Sequence, residues 1–214
     1  MEARTRKIAR DYHHGNLRQA LLEAAVARIE AAGEAGFTLR ELAKTLGVSS
    51  AAPFRHFASK RALLAAVAEL GYERLAAIYD ELDARYADDP GECFRRKGIA
   101  YVTFAVTHKG CYLAMFSSEL SDKAGFPELK AAGAKVFASI LATVEACRER
   151  DVLSGLCVEQ ITLTVWAAGH GLAQLLINGQ LADLGIEASA TAAEQAAEAV
   201  TAAIGAGLWR RPEG

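Results

Sequence analysis

Residues 37–60, Phe-Thr-Leu-Arg-Glu-Leu-Ala-Lys-Thr-Leu-Gly-Val-Ser-Ser-Ala-Ala-Pro-Phe-Arg-His-Phe-Ala-Ser-Lys, leave the chain few folds to choose from. Thr38 and Glu41 have capping-box spacing, and Phe37 and Leu42 have that of a hydrophobic staple. Leu39, Leu42, Ala43 and Leu46 fall at i, i+3, i+4 and i+7, so one helical face is apolar. Gly47 supplies the left-handed residue that ends such a helix, with Val48 placed to pack back on its last turn. Ser49 or Ser50 then caps a second helix, expected to run to His56 or Phe57. Two short helices about a tight turn make a helix-turn-helix, a device that sets its second helix in the DNA major groove.

Charge agrees with that use. The net charge of −2 conceals 11 Lys/Arg against 6 Asp/Glu in residues 1–61, a balance of +5, and −7 in the remainder. A basic head on an acidic body suits a protein that meets phosphate at one end. Prolines number four and alternating β-branched residues are scarce, while alanine, leucine and glutamate dominate. The expected fold is therefore all-α, with an N-terminal three-helix head and a larger helical body. Its hydrophobic fraction of 52% supports a sizeable core.

The expected division is 1–60, a basic arm plus helix-turn-helix, and 61–214, a larger helical body. Residues 1–15 form the arm, with Arg4, Arg6, Lys7, Arg10, His13 and His14, and Asn16 caps a helix that runs to about residue 32. Ser59 caps a long helix ending near residue 86. Further helices are expected over 91–108, 111–118, 128–150, 158–178 and 191–208, with loops at 121–127 and 179–189. The 158–178 segment is apolar nearly all round, which implies burial on more than one side. The four cysteines, Cys93, Cys111, Cys147 and Cys157, form no C-x-x-C pair and read as buried thiols of a reducing compartment. No signal peptide is visible and residues 161–177 are too short and polar for a membrane span, so a soluble cytoplasmic protein is expected.

Early residues of a reading helix meet base edges: here Ser49, Ser50, Ala51, Ala52 and Pro53, then Phe54, Arg55 and His56. Pro53 fits the first turn, where its missing N–H costs nothing. Its ring and the alanine methyls can meet thymine methyls, and Arg55 a guanine or phosphate. His56, Lys60, Thr38 and Arg40 flank the helix and suit phosphate. Phe57 reads as core, and Phe54 remains open between core and contact.

At this point the chain resembles the TetR family of bacterial transcriptional regulators. The residues that carry the resemblance are Thr38, Leu42, Ala43, Gly47, Val48, Ser49, Phe54, His56, Phe57, Ser59, Lys60 and Leu63, including the trailing H-F-x-S-K that a generic helix-turn-helix does not need. Trp166, His170 and Gly171 resemble the W-x-x-x-H-G signature of one C-terminal subclass. Residues 108–116 resemble its H-P-x-x-[F/Y]-x-x-M-F segment. Phe54 stands where the family usually has a tyrosine whose hydroxyl binds phosphate, and Lys109 replaces the usual proline.

The resemblance implies a homodimer built on C-terminal helices, a double-stranded DNA operator, and repression relieved by a small-molecule effector, with the helix after Ser59 as the lever. Small residues Ala167, Ala168 and Ala173 would let dimer helices approach closely. Tyr101, Phe104, His108, Tyr112, Met115 and Phe116, with Trp166, His170 and Gln174 at i, i+4 and i+8, are the candidate effector-pocket residues. The same pattern also describes an ordinary core, with Trp166 packed inside and paired with His170. A helical binding module without DNA function is the alternative. An enzyme using His108 or His170 is a weaker one, because no nucleophile motif, H-E-x-x-H or glycine-rich phosphate loop appears. No cofactor, metal or membrane partner is implied.

Overall fold

The computed structural model describes residues 17–33, 36–153 and 156–208. The basic arm and the Asn16 cap lie outside them. Among the described residues the regular structure is helical: α1 (Leu17–Ala32), α2 (Leu39–Thr45), α3 (Lys60–Arg85), α4 (Pro90–Thr107), α5 (Lys109–Met115), α6 (Pro127–Glu149), α7 (Val158–Ile177) and α8 (Ala190–Leu208). Short 3-10 turns occupy Ala52–Arg55, Ser118–Leu120 and Ala182–Leu184. The all-α expectation holds.

These elements form two compact units. One holds the described residues up to Gly71 together with Gly110–Leu129, and the other holds Tyr72–Lys109 with those from Lys130 onward. The division thus passes through α3, and α5 from Gly110 onward belongs to the first unit.

In the first unit α1, α2 and the 52–55 turn pack on one another. Their core contains Leu21, Leu22, Ala25, Ile29, Phe37, Leu39, Leu42, Phe57, Leu63, Leu64 and Val67, all buried. Burial of Phe37 and Leu42 is what the staple spacing requires. α5 reaches this core through glycine: a Cβ on Gly71 would lie 2.7 Å from the Met115 sulfur. In the second unit α4, α7 and α8 pack pairwise. Asp89 caps α4 by accepting the Glu92 N–H at 2.9 Å, and Pro90 fills the first turn. Phe94, Val144, Cys147, Leu153 and Ile161 form a core cluster. Cys93, Cys111 and Cys147 are buried and form no disulfide; Cys157, expected to be buried, is exposed at the start of α7.

One local expectation is corrected. The second motif helix is a four-residue 3-10 turn, Ala52–Arg55, rather than an α-helix from Ser49 or Ser50 to His56 or Phe57. No side chain caps it; its preceding contact is the Ala52 N–H on the Ser49 carbonyl at 3.0 Å. Pro53 disfavours α geometry at Ala52 and has no N–H to give. Its carbonyl takes both the His56 and Phe57 N–H groups, at 3.0 and 2.9 Å, closing the turn at once.

Candidate functional site

The first motif helix, α2, which leads into the reading segment, is held at both ends by local hydrogen bonds. Thr38 Oγ1 accepts the Glu41 N–H at 3.2 Å, and a Glu41 carboxylate oxygen accepts the Thr38 N–H at 2.8 Å, so the capping box is complete. Thr38 also donates its hydroxyl to Glu41 at 3.0 Å. At the other end Gly47 has φ +68°, its N–H meets the Lys44 carbonyl at 3.2 Å, and the Val48 N–H meets that of Ala43 at 3.0 Å. That is a Schellman motif, and it turns the chain sharply into Ser49.

Around this frame, Thr38, Arg40, Ser49, Ser50, Ala51, Phe54, Arg55 and His56 are exposed. Phe54 is open to solvent over 48% of its surface, whereas Phe57 is core, with the Arg18 guanidinium 5.4 Å above its ring. Ala52 is half-buried. Pro53, expected to offer its ring to thymine, is buried instead. Since the turn is only four residues long, its Pro53 side must serve as the anchor. Lys60 is half-buried, and its ammonium is paired with Glu119 at 2.9 Å and lies 5.4 Å from the Phe37 ring. Glu119 and Arg18 had no signal in the linear motif.

The nine effector-pocket candidates are divided between the two units. Tyr112, Met115 and Phe116 belong to the first unit. There Tyr112 and Met115 are buried, and the Tyr112 and Phe116 rings lie 5.0 Å apart. The other six belong to the second unit. Phe104 is buried and stacks on His108 at 4.7 Å, and His108 Nδ1 lies 2.9 Å from the Thr107 hydroxyl. Gln174 accepts from Asn178 at 3.4 Å.

The Tyr101 hydroxyl lies 3.1 Å from His170 Nδ1, so the histidine's hydrogen-bond partner is Tyr101 rather than Trp166. Burial holds the His170 pKa below the ordinary imidazole value, which favours the neutral ring. Trp166, expected in the core, is 47% exposed and meets His170 and Phe137 edge-on, at 6.5 and 6.3 Å. Phe137, itself half-exposed, completes an aromatic run that the linear spacing did not join. Ala173 is buried within its own unit and Ala168 half-buried, so of the three alanines only Ala167 is exposed.

The described residues contain no group of three potential metal ligands. None of their helices is long and apolar enough to cross a membrane.

Two family models match the chain. "Bacterial regulatory proteins, tetR family" covers residues 21–67, and "Tetracyclin repressor-like, C-terminal domain" covers 94–204, just over half of the chain. The chain belongs to the tetR family. It is accordingly a DNA-binding transcriptional regulator, and the first match spans the capping box, the turn and Lys60. No curated protein matches it.

Solved structures share the fold over nearly the whole length. A protein of unknown function from Rhodococcus sp. RHA1 is 29% identical, with a TM-score of 0.76 over 93% of this chain and 98% of that one. The TetR family transcriptional regulator PfmR from Thermus thermophilus is 21% identical, with a TM-score of 0.72 over 92% and 97%. The ketosteroid transcriptional regulator KstR2 of Mycobacterium tuberculosis is 19% identical, with a TM-score of 0.67 over 91% and 95%.

Proposed function

We propose that this regulator is a homodimeric repressor that leaves its operator when a small-molecule effector binds the body. The observation that carries the DNA part is the exposed set Thr38, Arg40, Ser49, Ser50, Ala51, Phe54, Arg55 and His56, held on a capped frame over a buried core. Ser49, Ser50, Ala51 and Arg55 meet base edges; Thr38, Arg40, His56 and Lys60 meet phosphate; Phe54 offers an apolar face; Pro53 anchors the turn. The division of labour is the head for DNA and the remainder for effector and partner.

Dimerisation is supported by α7. Leu163, Ala167, Gly171 and Leu175 repeat every four residues and are all exposed. A Cβ on Gly171 would meet no heavy atom within 4 Å. Glycine inside a helix costs about 1 kcal/mol relative to alanine. Close approach of a partner helix accounts for it where intrachain packing does not. Trp166, His170 and Gly171 keep the W-x-x-x-H-G spacing, and we place the C-terminal part in the subclass that this signature marks. The half-buried Tyr101–His170 pair, flanked by Trp166 and Phe137, is the polar element of the effector site in this reading.

Selection of random-sequence duplexes by the purified protein tests the reading. The expected product is a palindrome whose half-sites are centred about one helical turn apart, bound with steep salt dependence. Enrichment of no sequence would overturn it and favour the helical binding module.

A further inference from the structure

Lys60 follows the reading turn and opens α3, yet its ammonium already has a carboxylate. Glu119 Oε1 is 2.9 Å away, although 59 residues separate the two along the chain. Both side chains are partly open to solvent, so the pair lies where a DNA phosphate can compete for the lysine.

An ordinary surface ion pair is weak because two long side chains must be ordered to form it. Here much of that ordering is done by the backbone. Glu119 sits in the 118–120 turn, where its N–H is accepted by the Ser117 hydroxyl at 3.1 Å and the neighbouring Leu120 is buried. Arg61, the residue after Lys60, donates through Nε to the Glu119 carbonyl at 2.9 Å and through Nη2 to the Asp122 carbonyl. Its guanidinium also lies 5.0 Å from the Phe126 ring. Arg61 thus fastens this turn to α3, and the fastening carries the Glu119 carboxylate onto Lys60. The Phe37 ring, 5.4 Å from the ammonium, limits where else it can go.

We infer that Glu119 is an internal phosphate mimic: it occupies Lys60 and weakens the grip of the head on the DNA backbone. The inference rests on the reading of Lys60 as a phosphate contact. A lysine already neutralised by a carboxylate displaces fewer counterions from DNA than a bare one, so Glu119 lowers both affinity and its salt dependence. Because phosphate contacts carry no sequence information, this brake acts on all duplexes and holds down sequence-independent binding.

The test compares the full-length protein with Glu119→Gln, Lys60→Gln and the double variant. Binding is measured to a mixed-sequence duplex and to a duplex selected from random sequence, across a salt series. Glu119→Gln is expected to tighten binding to both about 3–10-fold at moderate salt and to steepen the slope of log affinity against log salt by about 0.9 per head. Lys60→Gln is expected to weaken binding, and Glu119→Gln to add nothing in that background. If Lys60→Gln weakens binding but Glu119→Gln leaves it unchanged or looser, the inference fails while the Lys60 reading stands. No effect of Lys60→Gln overturns both. Equal tightening with and without Lys60 means a diffuse charge effect and also overturns the inference.

Discussion

Gly110 lies so close to Val26 that a Cβ built on it would be 2.4 Å from the Val26 carbonyl oxygen. α5 can rest on α1 in the first unit only because this residue has no side chain. The obstacle is backbone, which cannot swing aside as a side-chain end can. At Gly71 the obstruction is chiefly the Met115 thioether, at 2.7 Å, with Cys111 Cβ at 3.2 Å. Gly110→Ala is therefore expected to destabilise by about 3 kcal/mol despite alanine's better helix propensity, and Gly71→Ala by about 1 kcal/mol. Urea unfolding of the two variants checks the order; equal losses would contradict it.

The buried cation of the second unit gives an asymmetric prediction. Lys97 is fully buried, and its ammonium reaches Asp83 at 2.7 Å, Ser139 Oγ at 2.7 Å and Thr143 Oγ1 at 2.8 Å, with the Tyr79 ring 5.3 Å away. Asp83 is partly exposed, so water can solvate its carboxylate if the lysine is removed, whereas the lysine has no such recourse. Asp83→Ala is expected to cost about 3 kcal/mol, Lys97→Met less than about 1 kcal/mol, and the double variant to recover most of the loss. Thermal unfolding of the three supplies the comparison.

How far these features were legible in the sequence follows the range of the interactions involved. The Thr38–Glu41 box and the Gly47 turn are settled within five residues, and the expected geometry is present. The Ala52–Arg55 turn is equally local, but a proline that a helix start tolerates gives no sign in the sequence that it also shortens the helix. Contacts made across the fold left no periodic trace. Glu119 meets Lys60, Ser139 and Thr143 meet Lys97, and Tyr101 meets His170, each from a distant element. Trp166 failed for a different reason. Apolar character points to burial inside the chain, yet an apolar side chain left open by its own unit is equally suited to a partner.

Glu92 predicts an acid limb. Its carboxyl is held down to about 2, first by hydrogen bonds from Arg95 at 2.6 and 2.7 Å, then by Arg96 at 2.7 Å, against the penalty of partial burial. A carboxyl depressed in the folded state contributes stability above its unfolded value of about 4.3, and loses it as pH falls towards 2. After solvent screening this amounts to about 1 kcal/mol. Glu92→Gln should therefore lower the melting temperature at pH 7 and make little difference at pH 2. A constant offset across that range would show that the charge is not responsible.

The exposed stripe of α7 tests the dimer. Leu163 is 63% exposed and Leu175 is 39% exposed, with Ala167 and Gly171 between them. Solvation of a lone chain gives no reason for large apolar groups to flank the smallest ones along a single face. Contact with a second helix does, because the small residues admit its backbone and the leucines pack at either end. Leu163→Glu with Leu175→Glu places like charges near the proposed twofold contact, while costing the separate chain little because neither leucine is buried. The expected result is a shift from dimer to monomer in sedimentation velocity, with unchanged helical circular dichroism. Affinity for the palindromic duplex should fall at least about 100-fold, because a lone head keeps only one half-site. Gly171→Leu should give the same dissociation by filling the gap. If all three substitutions leave the dimer intact, subunits associate through another surface.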